Sequence, residues 1–89
     1  MKTLKIWTGR YISMEYGGKN GKCTRCIVAG YTKKQACELS GISYSEVTNY
    51  FSLTGNKRQL STAVEPGLWV YDTRKFNEYD ERCPIIRIK

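Results

Sequence analysis

An α+β fold is what this sequence predicts: an N-terminal β-hairpin, a pair of short helices and C-terminal strands, forming one small antiparallel sheet packed on helices. Three observations lead there. Aromatic and β-branched residues crowd the first 29 positions around a glycine-rich turn. Two capping signals then bracket a glycine between residues 32 and 51. A compact apolar run, Leu68 to Tyr71, follows Glu65-Pro66-Gly67. Local periods that change from two to 3.6 and back, in a chain of 89 residues, fit a single mixed domain spanning 1–89.

Leu4 to Tyr16 reads as one long strand or two short ones broken near Gly9, with Ile12, Met14 and Tyr16 alternating with Ser13 and Glu15. Gly17 to Lys22 is a turn by composition and contains Asn20-Gly21, a strong hairpin signal. Thr24 to Ala29 returns as the second strand and leads through Gly30-Tyr31 into a helix. Thr32 and Gln35 form a capping box at its start, and Ser43 and Glu46 repeat the device for a second helix. Gly41 lies between them, where a left-handed residue would end the first helix. Ala36, Cys37, Leu39, Ile42, Val47 and Phe51 supply the apolar face of the pair.

The second helix is expected to end near Thr54-Gly55. Asn56 caps a short third helix over Lys57 to Val64, with Leu60, Ala63 and Val64 inward. Leu68 to Tyr71 is a strand, Thr73 to Arg82 a polar loop, and Pro84 to Ile88 an edge strand. Three or four strands against two or three helices result.

The run from Thr32 to Phe51 resembles the helix-turn-helix of DNA-binding proteins: a small residue at Cys37, glycine four later at Gly41, apolar Ile42 next, and β-branched Val47 six after the glycine. Ser40 departs from that pattern, in which an apolar residue precedes the glycine. From Ile27 to Trp69 the chain also resembles small accessory proteins of tailed phages, which implies a phage setting, in a bacterial cytoplasm, and supplies no mechanism.

Charge narrows the partners. A formal +7 favours nucleic acid, an anionic membrane surface or an acidic protein patch. No apolar run approaches a membrane span, and the N-terminus lacks the apolar core of a signal peptide. On the helix pair, Ser43, Tyr44, Ser45, Thr48 and Asn49 fall on or near the outward side of the second helix and could contact base edges. Lys33, Lys34, Lys57 and Arg58 could hold phosphates around it. DNA is favoured over RNA.

A second class of function rests on the hairpin, where Trp7, Arg10, Tyr11, Lys19, Lys22 and Arg25 interleave basic and aromatic groups. Such residues suit an acidic protein surface, as in a phage-type inhibitor or modulator of a host complex, and with Tyr16 could also stack on unpaired bases.

Cys23 and Cys26 have the spacing of half a zinc knuckle, and Cys37 and Cys83 are the thiols left to complete it. Cys37 occupies the small buried position of the helix pair, however, and alternation turns Cys23 and Cys26 to opposite strand faces. Free thiols, no metal and no cofactor are the expectation. The chain has no histidine, which removes the commonest general base. The acidic group Glu78, Asp80 and Glu81 reads as a solvated run. An enzyme is not expected.

Overall fold

The structure is a computed structural model that describes residues 3–13, 15–17 and 23–89. Its elements are β1 (Lys5–Ile12), β2 (Cys23–Gly30), α1 (Lys33–Ser40), α2 (Tyr44–Tyr50), β3 (Ser52–Leu53), α3 (Lys57–Thr62), β4 (Gly67–Tyr71) and β5 (Ile85–Arg87). The α+β architecture is as predicted. The five strands make one antiparallel sheet in the order β3-β1-β2-β4-β5. Gly17 is a turn neighbour of Ser13, but the predicted Asn20-Gly21 turn, Met14, Lys19 and Lys22 lie outside the described residues.

Both sheet faces are covered, because alternate residues point opposite ways. One face carries Trp7, Cys26, Val28, Leu68 and Val70, packed against Ala36, Cys37, Ile42, Val47 and Phe51 of the helix pair. The other carries Ile6, Ile27, Ala29, Trp69 and Tyr71, against Ala63, Cys83 and the half-buried Phe76. Residues 26–29 of β2 and 68–71 of β4 are therefore buried on both sides, and they read as continuous apolar runs.

Several boundaries differ from expectation. β1 is one unbroken strand that ends at Ile12, so the alternation predicted through Tyr16 does not continue. Ser13 is buried and closes a turn, its hydroxyl accepting from the Tyr16 N–H and its carbonyl from the Gly17 N–H. α2 stops at Tyr50, short of the Thr54-Gly55 terminator. Phe51 takes an extended conformation and its ring covers Gly9, and Ser52–Leu53 then pair with Trp7 and Thr8 as a fifth strand.

The inward face of α3 is also corrected. Gln59 and Ala63 are buried, whereas Leu60 and Val64 are exposed. The sheet offers polar groups there: Gln59 donates to the Thr8 and Tyr71 hydroxyls, and its carbonyl oxygen accepts from Thr54. A buried amide with its bonds made is favoured over an apolar side chain that would remove the bond to the Tyr71 hydroxyl, whereas Thr8 also donates to the Cys26 carbonyl. Likewise Leu39 is exposed and Ser40 buried. Ser40 earns its place by accepting from the Ile42 N–H, while its carbonyl accepts from Lys89 Nζ at 3.0 Å.

Candidate interaction surface

The helix pair forms locally as read. The Thr32 hydroxyl accepts from the Gln35 N–H, and the Gln35 side chain reaches back to the N–H of Tyr31, one residue before the cap. The Ser43 hydroxyl accepts from the Glu46 N–H. Gly41 has φ 77° and donates to the Cys37 carbonyl, reversing the chain in three residues.

Helical geometry divides the free surface of α2 into three strips. Ser45 and Asn49 point away from the core, joined by a hydrogen bond of 3.3 Å. Tyr44 and Thr48 face α1, where Lys33 donates to Thr48 at 3.3 Å and lies 5.2 Å from the centre of the Tyr44 ring. Glu46 and Tyr50 border a groove toward β1. Lys34 is exposed beside Lys33.

The predicted basic fringe does not surround this surface. Lys57 and Arg58 belong to α3, whose buried residues pack on the opposite sheet face. The Arg58 guanidinium donates to the Cys83 carbonyl and lies over the Tyr71 ring. From Thr32 to Phe51 two lysines are balanced by two glutamates, so the helix pair carries no net charge.

The hairpin set is likewise divided. Trp7 is 5% exposed, a core residue on the helix-pair face, and cannot present its ring to a partner. Tyr11 and Tyr16 are half-buried against the same core. Arg10 and Arg25 are cross-strand neighbours on the other face. Arg10 pairs with Glu78, which raises the guanidinium pKa. Glu78 is consequently buried, unlike the solvated run expected for it. Asp80 instead pairs with Arg82, which holds its carboxyl down to about 2.

The groove bordered by Glu46 and Tyr50 encloses about 800 Å³ between α2 and the end of β1. Tyr11, Ile42 and Phe51 line it. Ile12 and Tyr50, 75% and 79% exposed, also line it. None of Ile12, Ile42, Tyr50 and Phe51 was expected from the sequence to bind a partner. Tyr50 carried a signal, an aromatic four positions after the polar Glu46 and three after Val47, so bordering the buried side of α2. Ile12 carried none, since its exposure follows from where β1 ends.

The four thiols are free, with Cys23 exposed. Cys26 and Cys37 pack on one sheet face and Cys83 on the other, so the four cannot converge on one ion. Burial pushes the Cys26 thiol up to about 12 and raises Cys37 and Cys83 as well. No helix among the described residues is long and apolar enough to cross a membrane. No protein family, curated protein or solved structure matches the chain.

Proposed function

We propose that this chain is a non-catalytic modulator that binds another protein through the face formed by α2 and the end of β1. The observation that carries this reading is the largely exposed Tyr50 beside a groove floored by Ile42 and Phe51, with the exposed Ile12 at its β1 rim. Contiguous exposed apolar surface is unfavourable in isolation and characteristic of contact sites, and an aromatic beside a pocket is the usual form of an energetic anchor. An acidic partner, as of a phage-type modulator acting on a host complex, suits the formal +7. A quantitative capture experiment tests this: the parent chain as bait should retain a partner that Tyr50→Asp and Ile12→Asp baits lose, with both variants folded. Equal capture by all three baits would refute it.

Duplex DNA is the second reading, favoured by Ser45 and Asn49 pointing outward and by Lys33 lying over Tyr44 and Thr48. It ranks lower because only Lys33 and Lys34 remain near α2 of the four cations expected to hold phosphates. Two phosphate contacts correspond to a logarithmic salt slope of only about −1.8, too few for firm binding by one copy. In a DNA titration, Lys33→Ala/Lys34→Ala would weaken binding to every sequence, whereas Asn49→Ala would cost about 1–3 kcal/mol at a preferred site.

A further inference from the structure

Among the described residues, the groove runs beside a length of β1 that has no strand on the side opposite β2. β3 pairs with β1 at Trp7 and Thr8, and Thr54 adds one more bond, donating to the Ile6 carbonyl at 3.0 Å. That bond reveals which backbone groups face outward. In a strand, N–H and C=O of one residue point to the same side and alternate along the chain. Ile6 faces β3, so Thr8, Arg10 and Ile12 face that side too, while Trp7, Gly9 and Tyr11 face β2. Phe51 would be next to pair after Ser52, but it caps α2 and its ring lies over Gly9. Among the described residues no strand continues along Arg10 to Ile12 on this edge.

Arg10 and Ile12 therefore offer two N–H donors and two carbonyl acceptors in strand geometry, directly beside an apolar groove. An open edge of this kind is a template for another strand. Resting on the protein-partner reading above, we infer that the partner contributes an extended, acidic segment that adds to the sheet along Arg10–Ile12 and places an apolar side chain in the groove between Tyr11, Ile42 and Tyr50. Backbone bonds supply registration and the groove supplies side-chain selection, the division found when a peptide augments a sheet. Charge selects the acidic character: β1 and β2 carry Lys5, Arg10 and Arg25 and no carboxylate. Arg10 keeps about half its side chain exposed even while paired with Glu78.

The probe is a capped octapeptide alternating glutamate with valine, compared with the same peptide N-methylated at its four central residues. The readout is amide hydrogen exchange, with chemical shifts, on the full chain. The unmodified peptide should slow exchange at Arg10 and Ile12 at least tenfold, leave Trp7 and Gly9 unchanged, and lose this effect on N-methylation. Ile12→Pro, which removes one outward donor at the strand end, should weaken binding while circular dichroism stays unchanged.

Three results would overturn strand addition: no protection at Arg10 and Ile12 at millimolar peptide, equal protection by the N-methylated peptide, or protection without peptide that disappears on dilution. The last would assign the edge to a second copy of this chain. The first of these results, if accompanied by shifts at Ile42 and Tyr50, would leave the protein-partner reading standing. That broader reading fails separately, if baits altered at Tyr50 and Ile12 capture as the parent does.

Discussion

The ring of Phe51 rests on Gly9: a Cβ built on that glycine would lie 2.7 Å from each of three ring atoms. The contact joins the end of α2 to the middle of β1 and sets the floor of the groove. It also explains why β1 passes through Gly9 without a break. The glycine marks a close approach between two elements, and the strand stays continuous through the pairs Thr8–Ile27, Gly9–Cys26 and Arg10–Arg25.

Gly9→Ala is expected to destabilise the chain by about 1–3 kcal/mol, the range for overpacking a filled site. Phe51→Leu in the same chain should recover part of that loss, because the two changes share one contact. Denaturant unfolding of both single variants and the double variant measures the coupling. Strict additivity would mean that the ring and the glycine do not meet.

Gly41 makes a different demand. Its φ of 77° lies where a β-branched side chain is strained, and only Ile42 and Ser43 separate it from α2. Gly41→Val should cost about 1–3 kcal/mol, and Gly41→Asn less, since asparagine tolerates the left-handed region better. Thermal melts that rank valine no worse than asparagine would contradict this turn.

How much of this was legible in the sequence depended on whether the signal was local. Thr32, Ser43, Asn56 and Gly41 act on backbone groups within four residues as their spacing implied, while Gln35 reaches the Tyr31 N–H rather than that of its cap, Thr32. Failures arose where a distant element decided the outcome. Leu60 gave way to Gln59 because Thr8 and Tyr71, far away in sequence, present hydroxyls to α3. Glu78 left the solvated run because Arg10 stands 68 residues away across the sheet. Trp7 looked available beside the hairpin's cations, but its face of β1 is the one that the helix pair covers. That β3 stops short of Arg10 was invisible for the same reason: its length of two residues is set where Phe51 meets Gly9.

Thiol chemistry should distinguish the cysteines by burial. At pH 8 the folded chain is expected to take up one equivalent of a maleimide, at Cys23, since Cys26, Cys37 and Cys83 are buried and their raised pKa values keep them protonated. Unfolding should release the other three. A group that ionises less readily when folded favours folding below its ordinary value and loses that contribution as pH rises through the folded one. Stability should therefore decline in alkaline solution above pH 9, and less so in Cys26→Ala than in the parent. Rapid labelling of two or more thiols in the folded chain would contradict the burial of these sulfurs.

Acid should act through the opposite sign. Hydrogen bonds from Arg74 and Arg82 hold Asp72 below its ordinary 3.8 and Asp80 at about 2. Each contributes stability above pH 3.8 that is lost as pH falls through its folded value. Melting temperature should drop between pH 4 and 2, and an Asp72→Asn/Asp80→Asn chain should show a shallower drop over that window. Parallel curves for parent and variant would show that these pairs do not contribute.

The central claim, that the face between α2 and β1 meets a protein, is tested most directly by site-specific photo-crosslinking in bacterial cells producing the chain. A benzophenone side chain at Tyr50 is compared with one at Val64, which is exposed and lies just beyond α3. From Tyr50 a discrete protein adduct is expected that survives nuclease treatment and is absent from Val64. Adducts from Tyr50 that vanish with nuclease, or equal adducts from both positions, would contradict it.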